Sequence, residues 1–291
     1  MDTRQLKQFV TLAETLHFGH ASELSHLSPS ALSRSIRQLE NELGVRLFDR
    51  DNRSVALTAQ GSVFLDYARD ALVQWDVLRH RLHEQGGELQ GEVRMYCSVT
   101  ASYSFLFELL SRFRVEHPRI EIKLHTGDPE HAVPGVLSGD EDIAIGARPD
   151  VMPANLAFKP IATSPLVFIA ATDAYHQLEA STPDPEKWAA TPMILSERGL
   201  ARGRVDRWFA QLGVQPTIYA QVAGNEAIVS MVSLGFGVGV VPQIVLDNSP
   251  LAKKVKVLKV RPDLEAYEVG LFTLTKKLKS PLIEAFWAQL R

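Results

Sequence analysis

Cysteine is almost absent from this sequence of 291 residues, which contains only Cys97. A single thiol excludes a disulfide within the chain and a zinc site built from several cysteines. The N-terminus, M-D-T-R-Q, lacks the apolar segment of a secretory signal peptide. Because chains without disulfides are typical of reducing compartments, we expect a cytoplasmic protein.

Long uncharged segments are also scarce. One stretch, residues 227–246, has the length to cross a bilayer, but it is interrupted by Gly235, Gly237, Gly239 and Pro242. These residues favour a helix, a turn and a buried strand over one membrane helix, so we expect no membrane partner. The glycine spacing is not the G-x-G-x-x-G of dinucleotide sites and the sequence has no P-loop, so we expect no cofactor.

The chain has no excess of positive charge. Its net charge is -3, and residues 1–58 carry seven Lys or Arg and seven Asp or Glu. Composition therefore gives no indication of nucleic-acid binding, and such an argument must depend on where the charges lie. Five arginines do lie within one stretch of twenty residues: Arg34, Arg37, Arg46, Arg50 and Arg53.

The N-terminal region has the pattern of three helices followed by a hairpin. Apolar residues at helical spacing predict helices over about 5–16 and 20–27. Residues 45–58 suggest two short strands around a polar turn.

The third predicted helix has a clear start and end. Ser28 and Pro29 suit the cap and the first turn, and Gly44 suits the residue after the last turn. One face is apolar and carries Leu32, Ile36, Leu39 and Leu43. The opposite face is polar and basic and carries Ser30, Ser33, Arg34 and Arg37.

Two helices joined by a tight turn describe a helix-turn-helix, whose second helix reads base edges in the major groove of DNA. Arg34 can reach a guanine edge or a phosphate, and the hairpin can act as a wing along the backbone. The predicted DNA contacts are Pro29, Ser30, Ser33, Arg34, Arg37, Arg50 and Arg53. A three-helix packing module with solvated arginines is the alternative.

A long helix is predicted over about 59–85. Its apolar residues recur at alternating steps of four and three, the heptad pattern of a coiled coil. They are Phe64, Ala68, Ala71, Trp75, Leu78 and Leu82. The stripe can pack on its own domain or on a second copy. We favour a dimer seam, because the helix has almost no domain beside it in sequence.

From Glu88 onward the pattern changes to alternating strands and helices. The strand candidates are 92–98, 119–125, 142–146, 166–171, 218–222, 237–241, 255–259 and 267–274. Such alternation predicts parallel sheets with helices on both faces. Over roughly 200 residues it favours two small α/β lobes over one large sheet.

The run F-G-H-A-S-E-L-S-H-L-S-P-S-A-L-S-R-S-I-R-Q-L-E-N-E-L-G-V-R-L-F-D-R resembles the DNA-binding domain of LysR-type bacterial transcriptional regulators, and the match covers residues 2–65. The segments G-D-E-D-I-A-I-G (139–146) and M-V-S-L-G-F-G-V-G-V-V-P (231–242) are similar to recurrent motifs of the effector domain of that family. The resemblance therefore spans essentially the full length.

The resemblance implies an α/β protein with an N-terminal all-α winged helix-turn-helix. It implies a DNA-binding domain over 1–58, a linker helix for dimerisation over 59–87, and an effector-binding domain over 88–291. The last is a two-lobed, Rossmann-like domain similar to periplasmic solute-binding proteins. Its lobe I comprises 88–163 and 267–291, and its lobe II comprises 164–266.

Other stretches, such as D-N-R-S-V-A-L-T and F-R-V-E-H-P-R-I-E-I-K-L-H-T-G-D, resemble the branch of the family that controls acetohydroxyacid isomeroreductase expression in isoleucine–valine biosynthesis. This implies an activator that is a homodimer or homotetramer, binds a pseudo-palindromic double-stranded DNA operator and contacts RNA polymerase. It also implies a small anionic inducer, acetolactate or acetohydroxybutyrate. A LysR-type regulator of another pathway, responding to a different small organic anion, is the alternative.

An acetohydroxy acid needs N–H or guanidinium donors for its carboxylate. The turn S-V-T-A-S (98–102) follows the first strand of the effector domain and opens a helix. Open α/β sheets bind ligands there, helix N-termini hold anions, and the family resemblance places inducer contacts in the same turn. The predicted effector-binding residues are Ser98, Thr100, Ala101, Ser102, Thr126, Arg202 and Asn225.

The second lobe offers three arginines at another helix start, Arg198, Arg202 and Arg204. We hypothesise that Thr100 and Arg202 clamp the inducer carboxylate from opposite lobes. The alternative for Ser98 and Ser102 is that they only cap their helix, and the alternative for each arginine is a surface role.

Residues typical of catalysis or metal binding do not combine in the sequence. Cys97 has no histidine nearby, which favours a buried structural thiol over a nucleophile. His80 and His83 lie one helical turn apart, but no further ligand completes a metal site on that segment. We therefore expect no enzyme and no metal. The rival functions are an α/β binding protein or enzyme whose first 60 residues only pack, and a metal-responsive regulator.

Overall fold

The structure is a computed structural model of the chain, and it describes residues 1–50, 55–83, 89–179 and 183–290. The backbone separates into two units, residues 1–87 with 279–281 and residues 88–278 with 282–291. No described helix has the length and apolar character needed to cross a membrane.

The first unit contains four helices and a two-stranded hairpin. The elements are α1 (Thr3–Thr15), α2 (Phe18–Leu24), α3 (Pro29–Leu43), β1 (Phe48–Arg50), β2 (Val55–Leu57) and α4 (Ala59–His83). The predicted third helix is confirmed at both ends. Ser28 Oγ accepts the N–H of Ala31 at 3.2 Å, and Gly44 ends the helix with φ of 70°, a left-handed conformation that glycine adopts without strain.

The core of this unit lies between α1, α3, the hairpin and the first turns of α4. Leu32, Ile36 and Leu39 of α3 are fully buried, as the apolar spacing predicts. The ring of Phe9 on α1 lies 5.3 Å from the ring of Phe48 and 4.8 Å from the ring of Phe64. Aromatic packing at these distances joins three elements around one side chain.

The second unit contains two five-stranded sheets, which define its lobes. The sheet of lobe I has the order β4-β3-β5-β12-β6. Its strands are β3 (Gly91–Ser98), β4 (Ile120–Gly127), β5 (Ile143–Ala147), β6 (Leu156–Ser164) and β12 (Tyr267–Leu274). The helices of this lobe are α5 (Val99–Glu116), α6 (Ala132–Ser138) and α11 (Pro281–Ala288).

The sheet of lobe II has the order β11-β7-β10-β8-β9. Its strands are β7 (Leu166–Ala171), β8 (Pro192–Ser196), β9 (Thr217–Val222), β10 (Val238–Pro242) and β11 (Val255–Val257). The helices of this lobe are α7 (Pro185–Ala190), α8 (Leu200–Leu212), α9 (Asn225–Ser233) and α10 (Gln243–Asp247).

Both sheets are mixed, whereas the alternation of strands and helices predicts parallel sheets. Strand β3 pairs in parallel with β4 and β5, but β12 runs antiparallel to β5 and β6. In lobe II, β7 runs antiparallel to β10 and β11. The chain passes from lobe I to lobe II after β6 and returns at β12, so each sheet receives a strand that no βαβ crossover orients.

The segment G-D-E-D before β5 contains a buried ionic cluster. The carboxylate of Asp142 accepts a hydrogen bond from the backbone N–H of Arg94 at 2.8 Å and another from Lys277 Nζ at 2.6 Å. Burial disfavours the charge of Asp142, but the charges of Lys277 and Arg94 outweigh burial and lower its pKa. This recurrent segment therefore joins the start of β5 to β3 and to the residues after β12.

Candidate DNA-reading face and effector cleft

The polar face of α3 is available to a partner. Pro29, Ser30, Arg34 and Arg37 are exposed, and Ser33 is half-buried. Arg34 and Arg37 have no ion-pair partner among the described residues, so both side chains are available to bind phosphate or a guanine edge. The first turn of α3 and its basic residues form one surface, as the sequence predicts.

Arg50 differs from these arginines because its charge is already used. Its Nη2 donates to Glu40 Oε2 at 2.7 Å, and its guanidinium lies 5.1 Å from the centre of the Phe18 ring. Glu40 Oε1 also accepts the N–H groups of Leu47 and Phe48, at 2.9 and 3.2 Å. Arg50 thus joins the hairpin to α3, and its role as a DNA contact stays a prediction.

Two further predicted features of this unit have different outcomes. Arg53 lies outside the described residues, so its predicted contact with DNA has no structural account. The predicted stripe of α4 divides into two parts: Phe64 and Ala68 are buried in the core of their own unit, whereas Trp75, Leu78 and Leu82 are 47%, 48% and 60% exposed. Ala71 is half-buried between them.

A cavity of about 220 Å³ lies between the two lobes of the second unit. Lobe I contributes the turn after β4 and the end of β5, and lobe II contributes the starts of α8 and α9. The polar and charged residues of its wall are Asp128, Glu130, Ser196, Glu197, Arg198, Asn225 and Tyr267. The cavity therefore lies beyond the carboxyl ends of several strands, where open α/β sheets bind ligands.

Two helices begin at this cavity without a capping side chain. Gly199 and Gly224 precede α8 and α9 with φ of 92° and 79°, and neither helix has a side-chain cap. Because the first N–H groups of a helix have no partner within it, both first turns can donate to an anion. Leu200 and Asn225, the first residues of these helices, line the wall.

The charges around the cavity partly neutralise one another. Arg198 Nε donates to Glu130 Oε1 at 2.5 Å, which joins lobe II to lobe I. Ligand atoms of Asp128, Glu130 and His131 lie within 4.8 Å of one another, a spacing at which they could hold a cation. Glu130 already pairs with Arg198, so a cation held by this cluster would share the Glu130 carboxylate with that arginine.

Tyr96 positions the turn that carries these acidic residues. Its hydroxyl donates to the carbonyl oxygen of Asp128 at 2.8 Å. Burial raises the pKa of Tyr96 to about 12, with smaller contributions from nearby carboxylates, so the phenol keeps its proton and donates. Burial also raises the pKa of the neighbouring Cys97 to about 11. The thiol is fully buried, as a structural role predicts.

The predicted effector residues are distributed over several environments. Ser98 caps α5 by accepting the N–H of Ala101, and Ser102 donates back to the carbonyl of Val99. Thr126 is exposed on β4. Of the seven predicted residues, Asn225 alone is among those that line the described cavity.

Thr100 and Arg202 have separate hydrogen-bond partners in this structure. Thr100 is buried, and its hydroxyl donates to Glu226 Oε1 at 2.5 Å. Arg202 donates through Nε to Asp206 Oδ1 at 2.9 Å and through Nη1 to Gln221 Oε1 at 2.7 Å. Each group therefore has an intramolecular partner, and their hypothesised clamp on one carboxylate stays a prediction.

The two other arginines of lobe II have separate roles. Arg204 is buried, donates to the carbonyl oxygens of Glu265 and Ala266 at 3.0 and 2.7 Å, and lies over the ring of Tyr267. Carboxylate oxygens of Asp150 and Glu265 lie 3.5 Å from its guanidinium nitrogens, so its charge is already paired. Arg198, by contrast, lines the cavity and keeps 69% of its side chain exposed.

Comparisons with known proteins agree with this architecture. The model described as "Bacterial regulatory helix-turn-helix protein, lysR family" matches residues 3–62, and the model described as "LysR substrate binding domain" matches residues 86–291. The HTH-type transcriptional regulator IlvY of Escherichia coli K12 is 43% identical, over 99% of this chain and 98% of the relative. The HTH-type transcriptional activator IlvY of Haemophilus influenzae is 38% identical, over 100% of both chains.

A solved structure shows the same fold. Full-length OxyR from Pseudomonas aeruginosa, in a variant form, matches with a TM-score of 0.69 and 24% identity, over 100% of this chain and 95% of that chain. Because the identity is low, this likeness concerns the arrangement of elements and not the ligand.

Proposed function

We propose that this chain, which belongs to the LysR family of bacterial transcriptional regulators, activates the gene for acetohydroxyacid isomeroreductase in response to an acetohydroxy acid. The observation that carries the proposal is the identity of 43% to an IlvY regulator, which extends over 99% of the chain and so includes both the DNA-reading and the effector units. The relatives and both family models describe transcriptional regulators, so no catalytic role is proposed.

The first unit supplies the DNA contact. Ser30 and Arg34, near the exposed start of α3, would meet base edges, and Arg37, one turn further, would meet phosphate. In a dimer, two copies of α3 would read half-sites about one turn of DNA apart. The pseudo-palindromic operator follows from that symmetry.

The cavity between the lobes supplies the effector site. An acetohydroxy acid presents a carboxylate, a hydroxyl and a ketone on a short carbon chain. The free first turns of α8 and α9, together with Arg198 and Asn225, would donate to oxygens of the effector. A cavity of about 220 Å³ is smaller than the sites of drug-sized ligands and suits acetolactate or acetohydroxybutyrate.

Self-association is part of the proposal. Trp75, Leu78 and Leu82 form an exposed apolar stripe on the second half of α4. An exposed stripe at heptad spacing is stabilised when a second copy covers it. We therefore propose a homodimer through α4, with the tetramer and the contact with RNA polymerase proposed from membership of the family.

The test combines DNA binding with transcription in vitro. We expect the full chain to bind a duplex containing the region upstream of the isomeroreductase gene, and acetolactate to raise transcription from it. Arg34→Ala should weaken binding to that duplex, whereas Arg112→Ala, which removes an exposed arginine of α5, should not.

Two results would contradict the proposal. Absence of DNA binding at moderate salt would contradict the role of α3. DNA binding without any response to acetolactate or acetohydroxybutyrate would contradict the pathway. A thermal-shift screen of other small organic acids would then identify the effector, because a ligand bound only by the folded state raises the melting temperature.

A further inference from the structure

Among the described residues, the side-chain hydrogen bonds that connect lobe I with lobe II include three near the effector cavity and α10. Thr100 donates to Glu226 at 2.5 Å, Arg198 donates to Glu130 at 2.5 Å, and Asn248 Nδ2 donates to Ser104 Oγ at 3.0 Å. The first contact differs from the others because an anionic group of one lobe meets the first turn of a helix in the other. We refer to it as the Thr100–Glu226 bridge.

The carboxylate of Glu226 lies where two helices begin. Glu226 belongs to the first turn of α9, and its Oε1 accepts from Thr100 in the first turn of α5. Its Oε2 lies 3.5 Å from the point that a Cβ on Gly224 would occupy, and Gly224 lines the cavity. Helix N-termini carry partial positive charge, so this position favours an anion from both sides.

A ligand carboxylate entering this end of the cavity meets other negative charges. Asp128 Oδ1 lies 3.8 Å from the same point beside Gly224, so two carboxylates border one glycine. A third negative group nearby is disfavoured while Glu226 remains in place. The hydroxyl of Thr100 cannot donate to a ligand while it donates to Glu226, because a hydroxyl has one proton to donate.

We propose that Glu226 is an intramolecular competitor of the inducer: its carboxylate occupies the anion position at Thr100 and the start of α5, and binding of the inducer displaces it. The inference rests on the proposed function, since it requires an anionic effector in this cavity. It assigns Glu226 the role of setting inducer affinity. It also makes Thr100 a ligand contact only after the bridge opens.

Substitution of Glu226 separates competition from ligand binding. Glu226→Gln keeps an acceptor for Thr100 and removes the negative charge. Titration calorimetry of the full chain with acetolactate should show about threefold to tenfold tighter binding for this variant. Thr100→Val should weaken binding, and the gain from Glu226→Gln should disappear when the two are combined, because the contested donor is absent.

Asn248→Ala is the matched control. It removes a contact between the lobes without removing an anion, so acetolactate affinity should stay within about twofold of the wild type. An equal gain in Glu226→Gln and Asn248→Ala would show that any loosening of the lobes favours binding, and it would overturn competition. Weaker binding by Glu226→Gln would make Glu226 a ligand contact and would equally overturn the proposal.

A measurement without ligand distinguishes this proposal from the proposed function. In the unliganded chain, hydrogen exchange of residues 99–104 should be faster in Thr100→Val and in Glu226→Ala than in the wild type. The double variant should exchange no faster than either single variant. If acetolactate does not bind the wild type but this coupling is present, the inducer assignment fails and the bridge stands. If the two changes are additive, the bridge itself is overturned.

Discussion

Replacement of Glu40 by alanine tests how α3 is joined to the hairpin. The carboxylate is 12% exposed and accepts from the N–H groups of Leu47 and Phe48 and from Arg50, at 2.9, 3.2 and 2.7 Å. Hydrogen bonds to charged groups contribute about 1.5–3 kcal/mol, and a buried donor without a partner costs about 1–3 kcal/mol. Because the Arg50 side chain is 23% exposed and the three donors share one acceptor group, we expect Glu40→Ala to lower the free energy of unfolding of the first unit by about 3 kcal/mol.

Glu40→Gln should cost less, since one amide oxygen still accepts from the backbone while the ion pair with Arg50 is lost. We expect Glu40→Gln to lower the free energy of unfolding of the first unit by about 1 kcal/mol. Hydrogen exchange of peptides from α3 in the full chain measures both changes, and an operator-binding titration measures the consequence for DNA affinity.

Glu42 provides the control on the same helix. It is exposed and accepts from Gln38 and the N-terminal amino group, so Glu42→Ala should leave protection of α3 nearly unchanged. Equal protection in Glu40→Ala and Glu42→Ala would refute the reasoning, because it would mean that the three donors find other partners at no cost.

Three further predictions concern a buried charge, an exposed apolar residue and an exposed cation. Asp142→Asn should lower the free energy of unfolding of the second unit by about 3 kcal/mol in urea unfolding at neutral pH, because Lys277 loses its charged partner. In the wild type, the stability contributed by the carboxylate is complete above its ordinary pKa of 3.8 and is lost as pH falls through the lowered pKa. Equal acid sensitivity of the wild type and Asp142→Asn would contradict this. Leu78→Ser should weaken self-association in sedimentation velocity without loss of helix content, and unchanged association would exclude this part of α4 from the interface. Arg34→Ala should lower operator affinity by about 1–3 kcal/mol in an anisotropy titration, against no change for Arg112→Ala.

The first unit is predictable from sequence because its determinants are local. Ser28, Pro29 and Gly44 mark the ends of α3 from within one turn of those ends. In the second unit, the strand candidates missed β6 and β8. Strand β6 contains Pro160, which weakens its strand signal and is tolerated because β6 is an edge strand of its sheet.

The cleft is less predictable because its contacts join distant residues. Thr100 and Glu226 are 126 positions apart, and Glu130 and Arg198 are 68 apart, so no local pattern indicates that they meet. For Arg202 a local signal did exist. Asp206 follows it by four residues on α8, a spacing at which opposite charges pair on a helix surface, and the two residues do pair in the structure.

The heptad stripe of α4 shows what periodicity can and cannot specify. The repeat is continuous, yet Phe64 and Ala68 pack against their own unit while Leu78 and Leu82 are exposed. A helix of 25 residues extends about 37 Å at 1.5 Å per residue, which exceeds what a three-helix core can cover. Periodicity therefore identifies the buried face of a helix, but the length of the neighbouring domain decides which residues need a second copy. On that reasoning the boundary between the self-packed part of α4 and the part proposed to contact a second copy falls near Ala71, the half-buried position between them.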